Sequence, residues 1–349
     1  MATETSDFPA GEEVFLSCGE DEAVVSPFGA SLRGYYRRTT KGIEEIVTCY
    51  AGAVDPGDRS GRGLPHNSGT GRCMRSEQEI GKKIGGQGDT LIPFPGRIRN
   101  GAYVFDGRHY QMELNDKEGP NAIHGFLRSE PWLTIAQSVD RVRFYTTINA
   151  ADYTARGYPF SLSVEVNYRL NADGLECAFV IKNTGDHPAP AAAGFHPYLT
   201  AGADHIDSCE LMVPMESLLQ FDGLLPTGEV IPASGTPLDF LSPRLIGATS
   251  INNCYLNPRR DPDGMARVRL RNPGTGRTVV VWMDQAFNYV VLYSGDPLPP
   301  EHRRRALAIE PMTCGSDAFN HPEWGLAALQ PGQKLHGRWG VGEDECVGG

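Results

Sequence analysis

The sequence predicts an all-β protein, a large antiparallel β-sandwich with few short helices. Three observations carry that reading. Apolar and polar residues alternate in several separate runs, the mark of strands with one buried face. Gly and Pro punctuate the gaps between the runs. No apolar stripe of helical period extends beyond about two turns, and no repeat recurs at a fixed spacing. Many short strands with few helices pack as a sandwich or a barrel.

The clearest run spans residues 160–170, where Phe160, Leu162, Val164, Val166 and Tyr168 alternate with Ser161, Ser163, Glu165, Asn167 and Arg169. Leu175, Cys177, Phe179 and Ile181 repeat the pattern after Asn171-Ala172-Asp173-Gly174, a set of turn-forming residues, so the two runs predict a β-hairpin. Shorter runs predict further strands at 14–17, 46–49, 103–105, 142–148, 268–270, 278–283 and 289–293. Residues 51–89 break the rhythm with Gly, Ser, Arg and Lys and little apolar periodicity. That stretch is expected to be a long insertion over one end of the sandwich, functional or merely surface decoration. Because all-β sandwiches often exceed 200 residues as one unit, the 349 residues are expected to form a single domain, 1–349.

The composition is that of a globular protein, 40% hydrophobic and 21% charged. A net charge of −11 without a dense Lys/Arg cluster repels phosphate backbones, so nucleic acid is not an expected partner. No run approaches the ~18 apolar residues of a membrane span, and the polar, acidic start lacks the pattern of a signal peptide. The eight cysteines are scattered, without Cys-x-x-Cys or zinc spacing. These features predict a cytoplasmic protein with reduced thiols and no membrane contact.

Four segments set polar side chains between strands: 93–101 (PFPGRIRNG), 121–126 (NAIHGF), 194–199 (GFHPYL) and 309–320 (IEPMTCGSDAFN). Apolar neighbours desolvate an ionisable group and shift its pKa, which marks such segments as candidate sites. His196 stands in a stiff frame of Phe195, Pro197 and Tyr198, an imidazole expected to titrate near neutrality; its alternative is a core histidine satisfied by backbone. Glu310 follows the apolar run 306–309 and precedes Pro311, placing a carboxylate at a strand end; its alternative is a salt-bridge partner. The Gly-x-Gly pairs at 69 and 274 lack dinucleotide spacing, no nucleophile elbow or Walker loop is present, and no carboxylate lies at metal-ligand spacing between His187 and His196. No metal is therefore expected, and these motifs give no sign of a nucleotide cofactor.

Taken together, residues 90–341 resemble the aldose 1-epimerase family, from PFPGRIRNGAYVFDG through NAIHGF, GYPFSLSVEVNY, NTGDHPAPAAAGFHPYL and INNCYLN to AIEPMTCGSDAFN and LQPGQ. The resemblance implies the galactose mutarotase-like supersandwich, a small-molecule sugar as substrate, Glu310 as general base and His196 as general acid. It also implies that Arg97 and His124 hold the sugar and its ring oxygen, and that Tyr198, Asn252 and Gln285 belong to the substrate-binding set. Asn252 departs from the family, which usually has an Asp there; an amide still hydrogen-bonds, without the charge that strengthens such bonds. Three other readings compete. A hexose-6-phosphate 1-epimerase would need a cationic pocket, for which Arg72, Arg75, Lys82 and Lys83 are available. A sugar-binding protein without catalysis is supported by Asn252 and opposed by the retention of Glu310 and His196. A glycoside hydrolase would need a second carboxylate beside Glu310.

Overall fold

The computed structural model describes residues 13–48 and 84–344. Two large antiparallel sheets dominate them, with one four-residue α-helical turn at Ala150–Tyr153. One sheet has nine strands in the order Leu133–Gln137, Arg141–Ile148, Leu162–Asn171, Gly174–Asn183, Lys334–Asp344, Thr278–Met283, Ala266–Arg271, Glu210–Met212 and Arg244–Leu245. The predicted hairpin is its centre, paired without interruption from Leu162 with Asn183 to Asn171 with Gly174. Its alternation has the expected cause: Val164, Val166 and Tyr168 are buried, while Glu165 and Asn167 face outward.

The second sheet has twelve strands. Its main path runs Val14–Cys18, Asp21–Ser26, Ser31–Thr39, Gly42–Val47, Tyr198–Leu199, Leu307–Met312, Tyr289–Tyr293, Asn252–Pro258, Met215–Asp222 and Leu225–Pro232. Gly194–Phe195 pairs with Leu307–Met312 and with Thr90–Leu91. The sheets face one another across a shared apolar core. Phe195 of the second sheet lies 5.8 Å from Phe179 and 5.4 Å from Trp339 of the first. The Tyr168 hydroxyl crosses the core to donate to the Ala30 carbonyl at 2.8 Å. Each aliphatic or aromatic side chain buried in this way contributes about 1.5–3 kcal/mol.

Leu307–Met312 shows no alternation, because all six residues are buried. Leu307 and Ile309 face the core between the sheets. Ala308, Glu310 and Met312 occupy the other face, where smaller apolar clusters built on Tyr198, Leu298, Leu91 and Tyr289 cover it. A carboxylate is thereby enclosed on the outer face of a sheet.

The expected insertion at 51–89 is described only in part. Residues 51–83 lie outside the described residues, Arg72, Arg75, Lys82 and Lys83 among them. Residues 84–89, however, form turns that lie against the second sheet, with Gln87 and Asp89 each 1% exposed. The Leu32 N–H donates to the Gly88 carbonyl at 3.1 Å, and the Gly88 N–H donates to the His196 carbonyl at 2.9 Å. Gly88 has φ +65°, and a Cβ there would stand 1.9 Å from the Leu32 carbonyl oxygen. Gly88 thus permits a close backbone approach that a residue with a side chain would block. No helix among the described residues is long and apolar enough to cross a membrane.

Candidate active site

Strand register brings His196 and Glu310 together. Gly194 pairs with Met312 and Tyr198 with Ala308, so the antiparallel path between them sets His196 opposite Glu310. Opposite residues share a face, and Pro197, which has no N–H to give to a ladder, leaves its carbonyl to accept from Ile309 at 3.2 Å. The His196 Nε2 and Glu310 Oε1 atoms are 3.2 Å apart, with side chains only 5% and 2% exposed. The imidazole stacks on Tyr198 with ring centroids 5.1 Å apart. Tyr198 is itself fixed by donating to the Gly85 carbonyl at 2.8 Å. His196 is thus not a core histidine satisfied by backbone at Nε2: that nitrogen faces a carboxyl.

Burial acts on the two groups in opposite directions. It pushes the His196 imidazole down to about 4, a change that Asp89 opposes and Arg128 reinforces. This corrects the expectation of titration near neutrality, because an enclosed imidazolium loses hydration that no single neighbour restores. Burial also raises the Glu310 carboxyl well above the ordinary carboxylate range; the charge of Arg97 works against the rise and that of Asp89 adds to it. Both shifts favour the uncharged form of the pair, a carboxylic acid beside a neutral imidazole. Glu310 Oε2, also buried, has no hydrogen-bond partner among the described residues, which leaves it available to an incoming hydroxyl.

His124 closes another side. Its ring lies 5.6 Å from that of His196, edge to face. The Gly96 N–H donates to His124 Nδ1 at 3.2 Å, while the His124 backbone N–H donates to the Gly96 carbonyl at 2.9 Å. Burial first, then the positive charge of Arg128, hold this imidazole well below its ordinary pKa. In the neutral ring an accepting Nδ1 leaves the proton on Nε2, which makes that nitrogen a donor. His124, His196 and Glu310 offer ligand atoms within 4.8 Å of one another, spacing that a metal ion could use. The tautomer is unsuited to one, since a metal-bound histidine donates from its second nitrogen instead of accepting there.

Arg97 is held by two carboxylates, donating from Nε to Asp116 at 2.7 Å and from Nη2 to Glu118 at 2.6 Å. Burial would raise the Asp116 carboxyl, but the hydrogen bonds from Arg97 and Asn121 outweigh it and hold the carboxyl below its ordinary range. The Arg97 backbone N–H donates to Ser316 Oγ at 3.1 Å, and Phe94 meets Phe319 at 5.4 Å. The first and fourth polar segments of the sequence thus brace each other.

Asn252 is exposed at the start of its strand. It pairs with Tyr293, which pairs with Ala308, so it shares the outer face with Glu310. The structure does not bring Gln285 to this group. It is exposed in the turn after Thr278–Met283 and lines a separate depression of about 520 Å³ with Asp263, Lys334, His336 and Arg338. Three residues outside the four polar segments complete the surroundings: Asp89, Asp116 and Arg128. A buried Asp next to the NAIHGF and GFHPYL segments carries no local pattern, and only the tertiary pairing reveals it.

The model of the family described as Aldose 1-epimerase matches residues 76–340 of this chain. The chain belongs to the aldose 1-epimerase family. Escherichia coli YihR, described as an uncharacterized protein, is 31% identical over 234 residues, 67% of this chain and 71% of its own length. The galactose mutarotase of Sus scrofa is 25% identical over 273 residues, covering 70% of this chain and 75% of that one. Among solved structures, a C. elegans homologue of this epimerase family superposes with a TM-score of 0.78 at 20% identity, spanning 96% of this chain and 99% of the other. A putative aldose 1-epimerase from E. coli K12 gives 0.73 at 20% identity, with 96% and 99% covered. Those two likenesses establish the galactose mutarotase-like fold.

Proposed function

We propose that this protein is an aldose 1-epimerase that interconverts the α and β anomers of a free aldose, with Glu310 as base and His196 as acid. The observation that carries the proposal is the enclosed Nε2–Oε1 contact of 3.2 Å. The oxygens that exchange protons in ring opening, O1 and O5, are bonded to the same carbon, so the base and the acid that serve them must be close neighbours. Once the proton of the pair has moved from Glu310 to His196 across that contact, Glu310 takes the O1 proton while His196 delivers its own to O5; the C1–O5 bond breaks as the C1–O1 bond becomes a carbonyl. Rotation about C1–C2 presents the other face of the aldehyde, and the same transfers in reverse close the second anomer. Proton count and charge balance throughout, and each positioned transfer contributes about 10²- to 10⁴-fold. Arg97 favours the carboxylate form of Glu310, and a His124 Nε2–H donor would stabilise negative charge at a sugar oxygen.

The decisive experiment is polarimetry of freshly dissolved α-aldoses with and without the protein. An accelerated approach to the equilibrium rotation is expected; a rate equal to buffer for every sugar would sink the proposal. Hexose 6-phosphates in the same panel separate a free-sugar enzyme from a phosphosugar one.

A pH profile follows from the opposed shifts. Activity requires one proton in the pair. Below about 4, where His196 becomes protonated, the pair holds two and no base remains. Above the raised position of Glu310 it holds none and no acid remains. The expected kcat/KM profile falls on the acid side with a midpoint at about 4, and its alkaline fall lies above the ordinary carboxylate range. An acid midpoint at the ordinary imidazole value would contradict the burial argument.

Asn252→Asp is expected to tighten binding of those sugars whose hydroxyls reach that position, by about 1 kcal/mol, because a carboxylate accepts stronger hydrogen bonds than an amide. The check is KM across a panel of aldoses in both proteins. A flat response, the same for every sugar, would show that Asn252 does not read the substrate.

A further inference from the structure

The reacting pair is enclosed by charges that none of its chemistry consumes. Asp89, 1% exposed, is the residue at which the Gly-rich segment meets the sheet, and its carboxylate lies 3.3 Å from Arg128 Nη1. Its backbone is tied to the acid itself: the Asp89 carbonyl accepts from the His196 N–H at 3.0 Å, while one residue earlier Gly88 donates to the His196 carbonyl. Arg128 belongs to the turn Leu127–Ser129, immediately after the segment that carries His124. The ion pair therefore joins the two histidine-bearing segments from behind.

We infer that Asp89 and Arg128 are positioning residues, a largely enclosed ion pair that holds the His196 segment against the His124 segment and sets the field in which His196 and Glu310 share their proton. This rests on the acid–base reading of His196 and Glu310 given above.

The two charges act differently. The negative charge of Asp89 stabilises a proton on His196 and on Glu310 alike. The positive charge of Arg128 disfavours a proton on His196 and on His124. The groups that face His196 are Glu310 across the sheet, His124 edge-on, Tyr198 beneath the ring, and Asp89 with Arg128 behind. Arg97 adds its charge at Glu310. Within that set Asp89 and Arg128 are the opposed pair, so removing either leaves the other uncompensated. An enclosed charge moves a neighbouring pKa by about one pH unit or more.

The test is the imidazole titration of His196, followed by NMR in the sugar-free protein and assigned by the resonance lost in His196→Asn. Relative to the unsubstituted chain, Arg128→Gln is expected to shift the titration upward by about one pH unit and Asp89→Asn to shift it downward. In Asp89→Asn the acid and alkaline limbs of the activity profile should both move to lower pH. A ladder-holding role alone would lower thermal stability and leave the titration where it was, so an unmoved His196 titration in both variants overturns the inference. If Asp89→Asn fails to fold, Arg128→Gln decides: Arg128 lies in the turn Leu127–Ser129 with a side chain 28% exposed, and an unshifted His196 there is sufficient to overturn. The titration needs no turnover, so a protein that mutarotates no aldose tested would still show these shifts.

Discussion

Glu310→Gln is expected to reduce anomer interconversion by at least about 10²-fold, the lower end of what a positioned proton transfer contributes, while sugar binding stays within about tenfold. The amide keeps the shape of the carboxyl but cannot take the O1 proton, so the loss should appear in kcat, with KM little changed. Stability supplies the internal control. The folded carboxyl titrates above its ordinary value because of burial. Its ionisation therefore costs the folded state a growing penalty as pH rises from the ordinary carboxylate value toward the folded one. A glutamine carries no such penalty, so the thermal midpoint of the variant should equal or exceed that of the unsubstituted protein at neutral and mildly alkaline pH. Polarimetric rates together with thermal melts at two pH values check both halves. Retention of more than a few per cent of the rate by a folded variant would remove Glu310 from the role of base.

The parts of the molecule legible in the sequence are those whose burial is one-sided. Leu162–Asn171 and Gly174–Asn183 alternate because only one face meets the core, and Thr278–Met283 and Tyr289–Tyr293 have the bounds that the sequence predicts. Strands shaped by tertiary contacts were not visible. In Ser31–Thr39 the register shifts between Val24 and Val25 of its partner, which leaves Arg33 as an extra residue and breaks the alternation. Lys334–Asp344, which has no predicted strand, carries Gly337 and Gly340 where a Cβ would meet Ala286 at 2.6 Å and the Leu175 carbonyl at 2.5 Å. The site follows the same logic. Polar residues set in apolar frames, Glu310, His196 and His124, stand out locally and are brought together. Asp89 hides at the end of a Gly-rich stretch. Gln285, placed by a fainter local match, sits beside another depression, in the turn that follows Thr278–Met283.

His196→Asn tests the other half of the pair. Losing the acid removes the proton that O5 must receive, so kcat is expected to fall by about 10²-fold or more, again with a smaller change in KM. Asparagine is smaller than the imidazole that stacks on Tyr198 and meets the segment at Gly86, so a packing loss of about 1–3 kcal/mol should accompany the substitution. The pH dependence of that loss distinguishes the two roles of the side chain. In the folded protein the imidazole titrates at about 4, below its ordinary value of 6.5. The folded state resists protonation, so stability is lost as pH falls through the window between those two values. The asparagine variant has nothing to protonate at this position and should lose less stability over that window, which narrows the gap between the two proteins as the solution is acidified. Thermal midpoints at pH 7 and pH 5, set beside polarimetric rates at pH 7, provide the measurement. A rate loss that tracks the fraction unfolded, with equal acid sensitivity in both proteins, would return His196 to the status of a packing residue.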